Sequence, residues 1–215
     1  ILLSVLITIG FLLPPALTEL QKKGKQNEMK LLYQVITKWM FLIGVPIFSV
    51  LFFAPKLVLE LLFGQRYVPG VSVLRILLIG YLFSTLLGLT FRTLVGLGRN
   101  RIVAYTTFGQ LLVNSTLNVL LIPIFGISGA AIALAGSVFV GNTLNILILY
   151  RHHNIHPFTN RMIHSFAALL GVSAIGYYVV EMFSFQTATV ILFVAVAYPF
   201  VVVKLAIGPQ DKYIS

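Results

Sequence analysis

Cysteine and acidic residues are the most conspicuous shortages in this chain. The 215 residues include no cysteine, which excludes disulfide bonds, thiolate metal sites and cysteine nucleophiles. Charged residues make up only 9% of the chain, where about 25% is usual in soluble domains. Five Asp and Glu stand against fifteen Lys and Arg, a net charge of +10. The stretch from Ile102 to Tyr150 contains no charged residue and no histidine.

Apolar residues, by contrast, are unusually frequent. They make up 59% of the chain, where about 45–50% is usual in soluble domains. A water-soluble fold cannot bury so much apolar surface, so the composition indicates an integral membrane protein. It excludes disordered, collagenous and disulfide-stabilised secreted chains. The sequence starts at Ile1 inside a hydrophobic run without an initiator Met, and we expect it to be the C-terminal portion of a longer chain.

The uncharged runs predict an all-α membrane fold with seven transmembrane helices and short loops. A membrane helix needs about 20 mostly apolar residues. The predicted spans are 1–18, 39–55, 71–91, 102–122, 127–150, 162–178 and 186–203. Residues 102–150 as a single helix would extend about 73 Å, more than twice the hydrocarbon thickness. We therefore expect the chain to reverse at Pro123-Ile-Phe-Gly126.

The basic residues between these spans predict an orientation. Twelve of the fifteen Lys and Arg fall in alternate connections, while only Lys56, Arg66 and Arg75 fall in the opposite set. Because cytoplasmic loops of membrane proteins are enriched in Lys and Arg, we expect the Lys-rich loop and the C-terminus to lie in the cytoplasm. The turns at 56–70, 123–126 and 181–186 are then external. The longest connection, 19–38, is predicted to form a short amphipathic helix along the cytoplasmic interface, with a solvated linker as the alternative.

Two polar or small-residue patterns within the spans are candidate functional surfaces. Helices in lipid contact each other at small residues, and the fifth span places such residues four apart. This predicted helix-packing seam comprises Gly129, Ala133, Ser137, Gly141 and Asn145. The fourth span carries a polar face at spacings of three, four and four: Thr107, Gln110, Asn114 and Asn118. That face meets either neighbouring helices, through interhelical hydrogen bonds, or a hydrophilic lumen whose amides contact a polar solute.

Arg75 is a further candidate for the substrate lumen. It lies about one helical turn inside the external end of the third span. Arginine stays charged and binds phosphate bidentately, so Arg75 either contacts an anion or extends toward the external lipid headgroups. The five acidic residues all lie in loops or at span ends, and no pair is spaced for two-carboxylate catalysis. His152, His153 and His156 lack acidic or Cys partners, so we expect a cytoplasmic loop that faces lipid headgroups rather than a metal site. We also expect no cofactor, no nucleic-acid partner and no enzymatic activity.

Three segments resemble a known transporter family. They are PALTE at 15–19 before the Lys-rich loop, LFGQRY at 62–67, and above all NVLLIPIFGISGAAIA at 118–133. These strings are similar to the polysaccharide transporter, or oligosaccharide flippase, family of the multidrug/oligosaccharidyl-lipid/polysaccharide exporter superfamily. Complete members have two six-helix lobes, often followed by two extra helices.

The resemblance implies both an architecture and an activity. Residues 1–150 would form the C-terminal lobe without its first helix, and 151–215 the two extra helices and a cytoplasmic tail. The absent N-terminal lobe of the same chain and membrane lipids would be its partners in a prokaryotic cytoplasmic membrane. A lipid-linked glycan on an isoprenoid phosphate or pyrophosphate carrier would cross a central cavity that opens alternately to each face. The alternatives are a multidrug or toxin exporter of the same superfamily, a membrane-embedded glycan polymerase or ligase, and a non-transporting structural subunit.

Overall fold

The described part of the chain is entirely helical. A computed structural model describes residues 13–87, 89–155 and 171. Residues 13–22 are helical and precede the other elements. These elements are α1 (Gln26–Phe53), α2 (Pro55–Phe63), a 3₁₀ helix (Gln65–Gly70), α3 (Val71–Leu87), α4 (Thr90–Gly96), α5 (Asn100–Phe125) and α6 (Ile127–His153). Four helical segments in this part are long and apolar enough to cross a membrane: Gln26–Phe53, Gln65–Gly96, Asn100–Phe125 and Ile127–His153.

These four segments coincide with four of the seven predicted spans. Each contains all or nearly all of one predicted run, namely 39–55, 71–91, 102–122 or 127–150. The first predicted span is described only from residue 13, where it is helical. The predicted spans 162–178 and 186–203 lie outside the described residues apart from Gly171. The chain is therefore a helical membrane protein by length and composition of its helices, and the count of seven spans stays a prediction.

The prediction of a separate interfacial helix over 19–38 was wrong. The first helical segment ends at residue 22, and a turn follows in which Gly24 has a φ of 68°. Helix α1 then begins at Gln26 and continues without interruption into the apolar run. Its 28 residues extend about 42 Å, more than the hydrocarbon core, so its lysine-bearing first turns can lie outside the apolar region. Met29 and Tyr33 in those turns are buried in the protein core rather than turned toward lipid.

The turn at 23–25 pairs its lysines with acidic residues. Lys23 Nζ donates to Glu19 Oε1 at 2.6 Å, and Lys25 Nζ contacts Glu28 Oε1 at 2.8 Å. The hydrogen bond from Lys23 lowers the pKa of the exposed Glu19 carboxylate. Two of the five acidic residues thus have structural partners at this turn.

The described residues fall into two compact units. The first contains residues 13–41, 79–87 and 89–155, and the second contains residues 42–78. The core of the first unit draws on the helical segment 13–22 and on α1, α4, α5 and α6. Its buried residues are Leu13, Leu17, Met29, Tyr33, Leu94, Leu97, Val103, Leu149 and Ile155. In the second unit, α2 packs on the 3₁₀ helix, and Phe63 and Tyr67 bring their ring centroids to 5.8 Å.

Helices α5 and α6 form a hairpin that reverses at a single residue. The break was predicted across Pro123-Ile-Phe-Gly126, but α5 continues through Pro123 to Phe125. Gly126 alone lies outside both helices, at φ 58° and ψ −135°, a conformation that L side chains rarely adopt. Its amide donates to the Ile122 carbonyl at 2.8 Å, which closes the last turn of α5. Gly126 therefore ends α5 and reverses the chain, so that α6 packs antiparallel to α5.

Two helices cover the described residues of the third predicted span. Helix α3 ends at Leu87 and α4 begins at Thr90. Leu89 between them has φ −84° and ψ 51°, which is not helical. After α4, Gly98 at φ 69° and the bond from Arg99 N to Leu94 O close the helix end. The predicted span 71–91 thus lies within the segment Gln65–Gly96, which is long and apolar enough to cross a membrane.

Candidate functional site

The carboxamides of α5 form a directed chain of hydrogen bonds. Asn118 Nδ2 donates to the backbone and side-chain oxygens of Asn114 at 2.9 and 3.0 Å. Asn114 Nδ2 donates to Ser137 Oγ on α6 at 3.2 Å, and Ser137 Oγ donates to the Leu134 carbonyl at 2.9 Å. In a low-dielectric interior such a chain satisfies groups that would be costly to leave unpaired. The amides thus connect the two arms of the hairpin.

Gln110 lies against α6 one turn earlier on the same face. A Cβ built on Gly141 would lie 2.5 Å from Gln110 Oε1 and 2.9 Å from its Cδ. The glutamine side chain therefore occupies space that Gly141 leaves open by having no side chain. This explains why an amide of α5 and a glycine of α6 face each other.

Three residues of the predicted seam on α6, Gly129, Ser137 and Gly141, contact α5 in this interface. Gly129, Ala133, Ser137, Gly141 and Asn145 are all buried, together with Ala131 and Leu149. At Gly129 a Cβ would collide with the backbone carbonyl of Leu121, so the two helices approach at backbone distance next to the turn. Members of both sets that the sequence singled out, amides of α5 and small residues of α6, thus meet in the α5–α6 interface.

Thr107 does not belong to that interface. Its side chain is exposed, while Thr106 beside it is buried. The exposed face of α5 also carries large apolar side chains, among them Tyr105, Phe108 and Leu112. The predicted polar face is therefore split between the hairpin interface and the exposed surface.

Arg75 is exposed in the second compact unit. Its Nε donates to the Phe52 carbonyl at 3.3 Å, and its guanidinium lies 5.9 Å from the centroid of the Phe52 ring. Phe52 lies in the last turn of α1, where backbone carbonyls lack helical partners and carry partial negative charge. Arg75 thus contributes a cation to that helix end, and the rest of the exposed guanidinium can reach a solute or a headgroup.

A second polar cluster escaped the sequence analysis. Thr90 Oγ1 donates to Asn142 Oδ1 at 3.1 Å, and Asn142 Nδ2 donates to Ser84 Oγ at 3.0 Å. The amide of Asn142 therefore joins α3, α4 and α6. Asn142 follows Gly141 of the small-residue stripe in an uncharged span. An amide at membrane depth needs hydrogen-bond partners, so its position alone could have marked Asn142 as a candidate contact between helices. Its partners lie 52 and 58 residues away, so spacing alone could not identify them.

Ionisable groups form no metal-binding cluster in the described part of the chain. No three His, Asp or Glu side chains there converge as ligands. Of the acidic residues described, Glu28 contacts Lys25, and Glu60 accepts from Gln65 Nε2 at 3.0 Å. The polar chemistry of the spans described here is that of amides and hydroxyls.

The chain is thus a helical membrane protein in which side-chain amides form hydrogen bonds between helices. Residues 21–120 match the model of the MatE family, and proteins of that family are membrane transporters. The chain is also similar to the uncharacterized membrane protein MJ1068 of Methanocaldococcus jannaschii, at 29% identity over 133 residues. That match covers 62% of this chain and 26% of the relative, so it spans about a quarter of the relative's length. The MatE match includes α1 to α4 and most of α5.

Proposed function

We propose that this chain is part of a membrane transporter that moves lipid-linked oligosaccharide or polysaccharide precursors from the cytoplasmic to the outer leaflet. The observation that carries the proposal is the MatE match over residues 21–120. Transport would proceed by alternating access, with the glycan headgroup in a polar cavity and the isoprenoid tail in the bilayer. Moving a sugar–phosphate headgroup through bare hydrocarbon would cost several kcal/mol or more per polar group.

The choice of substrate rests on the polar groups of the spans. Amides and hydroxyls both donate and accept, which suits sugar hydroxyls, and arginine suits a phosphate. Thr107 is exposed and Asn118 is half-buried, so both retain surface that a solute could contact. Gln110 and Asn114 direct their polar groups at α6 and would act mainly by holding the hairpin. Arg75, considered by itself, is the candidate for a phosphate contact.

Reconstitution of the full-length protein tests this function directly. Proteoliposomes would receive a fluorescent isoprenoid pyrophosphate carrying a short glycan, with a membrane-impermeant quencher reporting the exposed leaflet. We expect the protected half of the probe to become quenchable at a rate that depends on the protein. A probe lacking the glycan measures non-specific scrambling and serves as the control. Equal rates for both probes, or none for either, would contradict the proposal.

Multidrug or toxin export is the rival, because the MatE match is equally compatible with it. Ion-coupled exporters normally need a carboxylate at membrane depth, whereas Glu60 lies in the short helix α2 and Glu28 in the first turn of α1. The same proteoliposomes, loaded with a cationic dye under a sodium or proton gradient, measure that activity. Gradient-driven dye movement without glycan movement would assign the protein to the exporters.

Substitution of Arg75 separates an anion contact from a structural role. We expect Arg75→Gln to slow glycan movement about tenfold or more, since a charge-assisted contact is worth about 1.5–3 kcal/mol. Arg75→Lys, which keeps the charge, should restore part of the rate. Protein abundance after detergent extraction should be unchanged in both variants. Unaltered transport in Arg75→Gln would leave Arg75 with only its contact to Phe52.

A further inference from the structure

Residues 54–70, which we call the connecting segment, join two membrane-crossing helical segments and have no role in the proposed function. Helix α2 is separated from α1 by Ala54, whose φ of −118° and ψ of 44° are not helical. The nine residues of α2 extend only about 14 Å. The segments on either side, Gln26–Phe53 and Gln65–Gly96, are both long and apolar enough to cross a membrane. The connecting segment therefore lies where the chain turns back at the membrane boundary.

The residues of α2 divide between a polar side and an apolar side. Lys56 and Glu60 are four apart and therefore share one side of the helix. The remaining circumference carries two apolar pairs with the same spacing: Leu57 with Leu61, and Val58 with Leu62. A helix with a charged side and a leucine-rich side is typical of helices that lie in the plane of a membrane interface.

Large apolar side chains are exposed where α2 ends and the 3₁₀ helix begins. Leu61 is 79% exposed and Leu62 is 66% exposed. Phe63 and Tyr67 are 61% and 57% exposed, on either side of the turn at Gly64. Gly64 has a φ of 90°, and its carbonyl accepts from the Tyr67 amide at 3.1 Å. Contact with water would be unfavourable for all four side chains, so this end of α2 needs an apolar partner.

Basic residues surround these apolar side chains. Residues 42–78 of the second compact unit contain three basic residues and one acidic residue, namely Lys56, Arg66, Arg75 and Glu60. All four are exposed, and the Glu60 carboxylate accepts from Gln65. A surface that is both apolar and positively charged complements the boundary of a bilayer, where acyl chains lie beneath lipid phosphates. The position beside two membrane-crossing segments favours lipid over a soluble protein as the partner.

We propose that the connecting segment docks on the headgroup region of the surrounding bilayer. Leu61 and Leu62 enter the boundary of the acyl chains, and Lys56 and Arg66 contact the phosphates of anionic lipids. Tyr67 has an apolar ring and a polar hydroxyl, the combination that is enriched at membrane interfaces. By the predicted orientation this is the outer leaflet. The docking does not require transport, so its test is independent of the proposed function.

Collision measurements on single spin labels test the docking. The full-length protein in lipid nanodiscs, with any other cysteine replaced, carries the label at Leu62→Cys or, as the matched control on the polar side, at Glu60→Cys. Oxygen concentrates in lipid and a neutral nickel chelate concentrates in water, so the ratio of the two collision rates reports the environment. We expect this ratio to be about fivefold or more higher at position 62, because a docked apolar side lies about 5–10 Å into the headgroup boundary.

The alternative partners give different results in the same measurement. Equal collision ratios at positions 62 and 60, with ready access of the nickel chelate to both, would place the apolar side in water. Poor access of both reagents to position 62 would place it against protein, from this chain or another. Either result would overturn the docking. A label at Leu61→Cys should behave as the label at Leu62→Cys does, which makes the result independent of one substitution.

Lipid quenchers test the charge contacts. A fluorophore at Gln65→Cys is exposed to nanodiscs that contain nitroxide-labelled phosphatidylglycerol or phosphatidylcholine. We expect the anionic lipid to quench about fivefold more strongly, since one basic residue near an anionic surface contributes about that factor. Lys56→Gln with Arg66→Gln should remove the preference. Lys22→Gln with Lys30→Gln, which removes the same charge from the predicted cytoplasmic side, should preserve it. Equal quenching by both lipids in the otherwise wild-type protein would overturn the phosphate contacts.

Discussion

Glycines decide how closely the two arms of the α5–α6 hairpin can approach. At Gly129 the neighbouring atoms are backbone atoms of Leu121 and Ile122, which cannot rotate away. At Gly141 they are the end of the Gln110 side chain, which can. We therefore expect Gly141 to tolerate a larger side chain better than Gly129 does. The difference comes from the neighbouring atoms and not from the residue type.

Gly129→Ala should destabilise the protein, by about 1–3 kcal/mol, because the added methyl group overpacks a backbone contact. The measurement is the midpoint of thermal loss of the monodisperse peak in size-exclusion chromatography of the detergent-solubilised protein. Gly109→Ala on α5 is the matched control, since nothing lies within 4 Å of a Cβ there. The control should be neutral or slightly stabilising, because alanine favours helix. A Gly129→Ala midpoint equal to wild type would show that the helices can separate there at no cost.

At the scale of elements, hydrogen bonds between helices give the hairpin its register. In lipid, apolar contact between helices has no advantage over contact with acyl chains, so small residues and amides determine which faces meet. The bond from Asn114 to Ser137 fixes α5 against α6 near the middle of both helices. The Ser84–Asn142–Thr90 cluster has the same function for α3, α4 and α6.

A double-mutant cycle on Asn114→Ala and Ser137→Ala should reveal a coupling free energy of about 0.6 kcal/mol and no more than about 1.7 kcal/mol, the mean and the maximum found for hydrogen bonds between membrane helices. Unfolding in mixed detergent micelles provides the measurement. Thr143→Ala with Asn114→Ala is the control pair, since Thr143 Oγ1 bonds to the Phe139 carbonyl of its own helix. The control pair should be additive. If Asn114→Ala impairs glycan movement while the cycle shows no coupling, Asn114 contacts the solute instead.

At the scale of the whole molecule, the uneven distribution of basic residues predicts how the chain crosses the membrane. Twelve of fifteen fall in one set of connections, including the lysines around Gly24 and the Arg151–His153 end of α6. Both of these segments are then cytoplasmic, and the α2 turn with Lys56 and Arg66 is external. Transport in the proposed direction would then run from the side of the Lys-rich loop to the side of the α2 turn.

Single-cysteine labelling in intact cells checks the orientation. Gln65→Cys in the 3₁₀ helix should react with an impermeant maleimide applied outside. His152→Cys near the end of α6 should react only after the membrane is permeabilised. Both side chains are exposed in the structure, so lack of reaction cannot come from burial within the described residues. External labelling of His152→Cys would reverse the topology and remove the basis for the proposed direction of transport.

Local features of the sequence determined the helical spans and their approximate ends. Long uncharged runs, Gly126 and the stripe of small residues act over a few neighbouring residues, so they can be read without a fold. The same locality explains one wrong prediction. The Lys-rich segment was predicted as a short interfacial helix, but its residues from Gln26 onward belong to α1, and Met29 and Tyr33 enter a core built from distant helices.

The sequence by itself determined that this protein lies in a membrane, because hydrophobicity and charge are properties of composition and need no partners. It also placed amides and small residues on particular helices. Only the tertiary structure decided that Gln110 faces Gly141 and that Asn114 faces Ser137. It also decided that Thr107 lies outside this interface. A polar group inside a membrane needs a hydrogen-bond partner, and the sequence shows which residues have that need but not which residues satisfy it. That choice is made when helices distant in the chain come into contact.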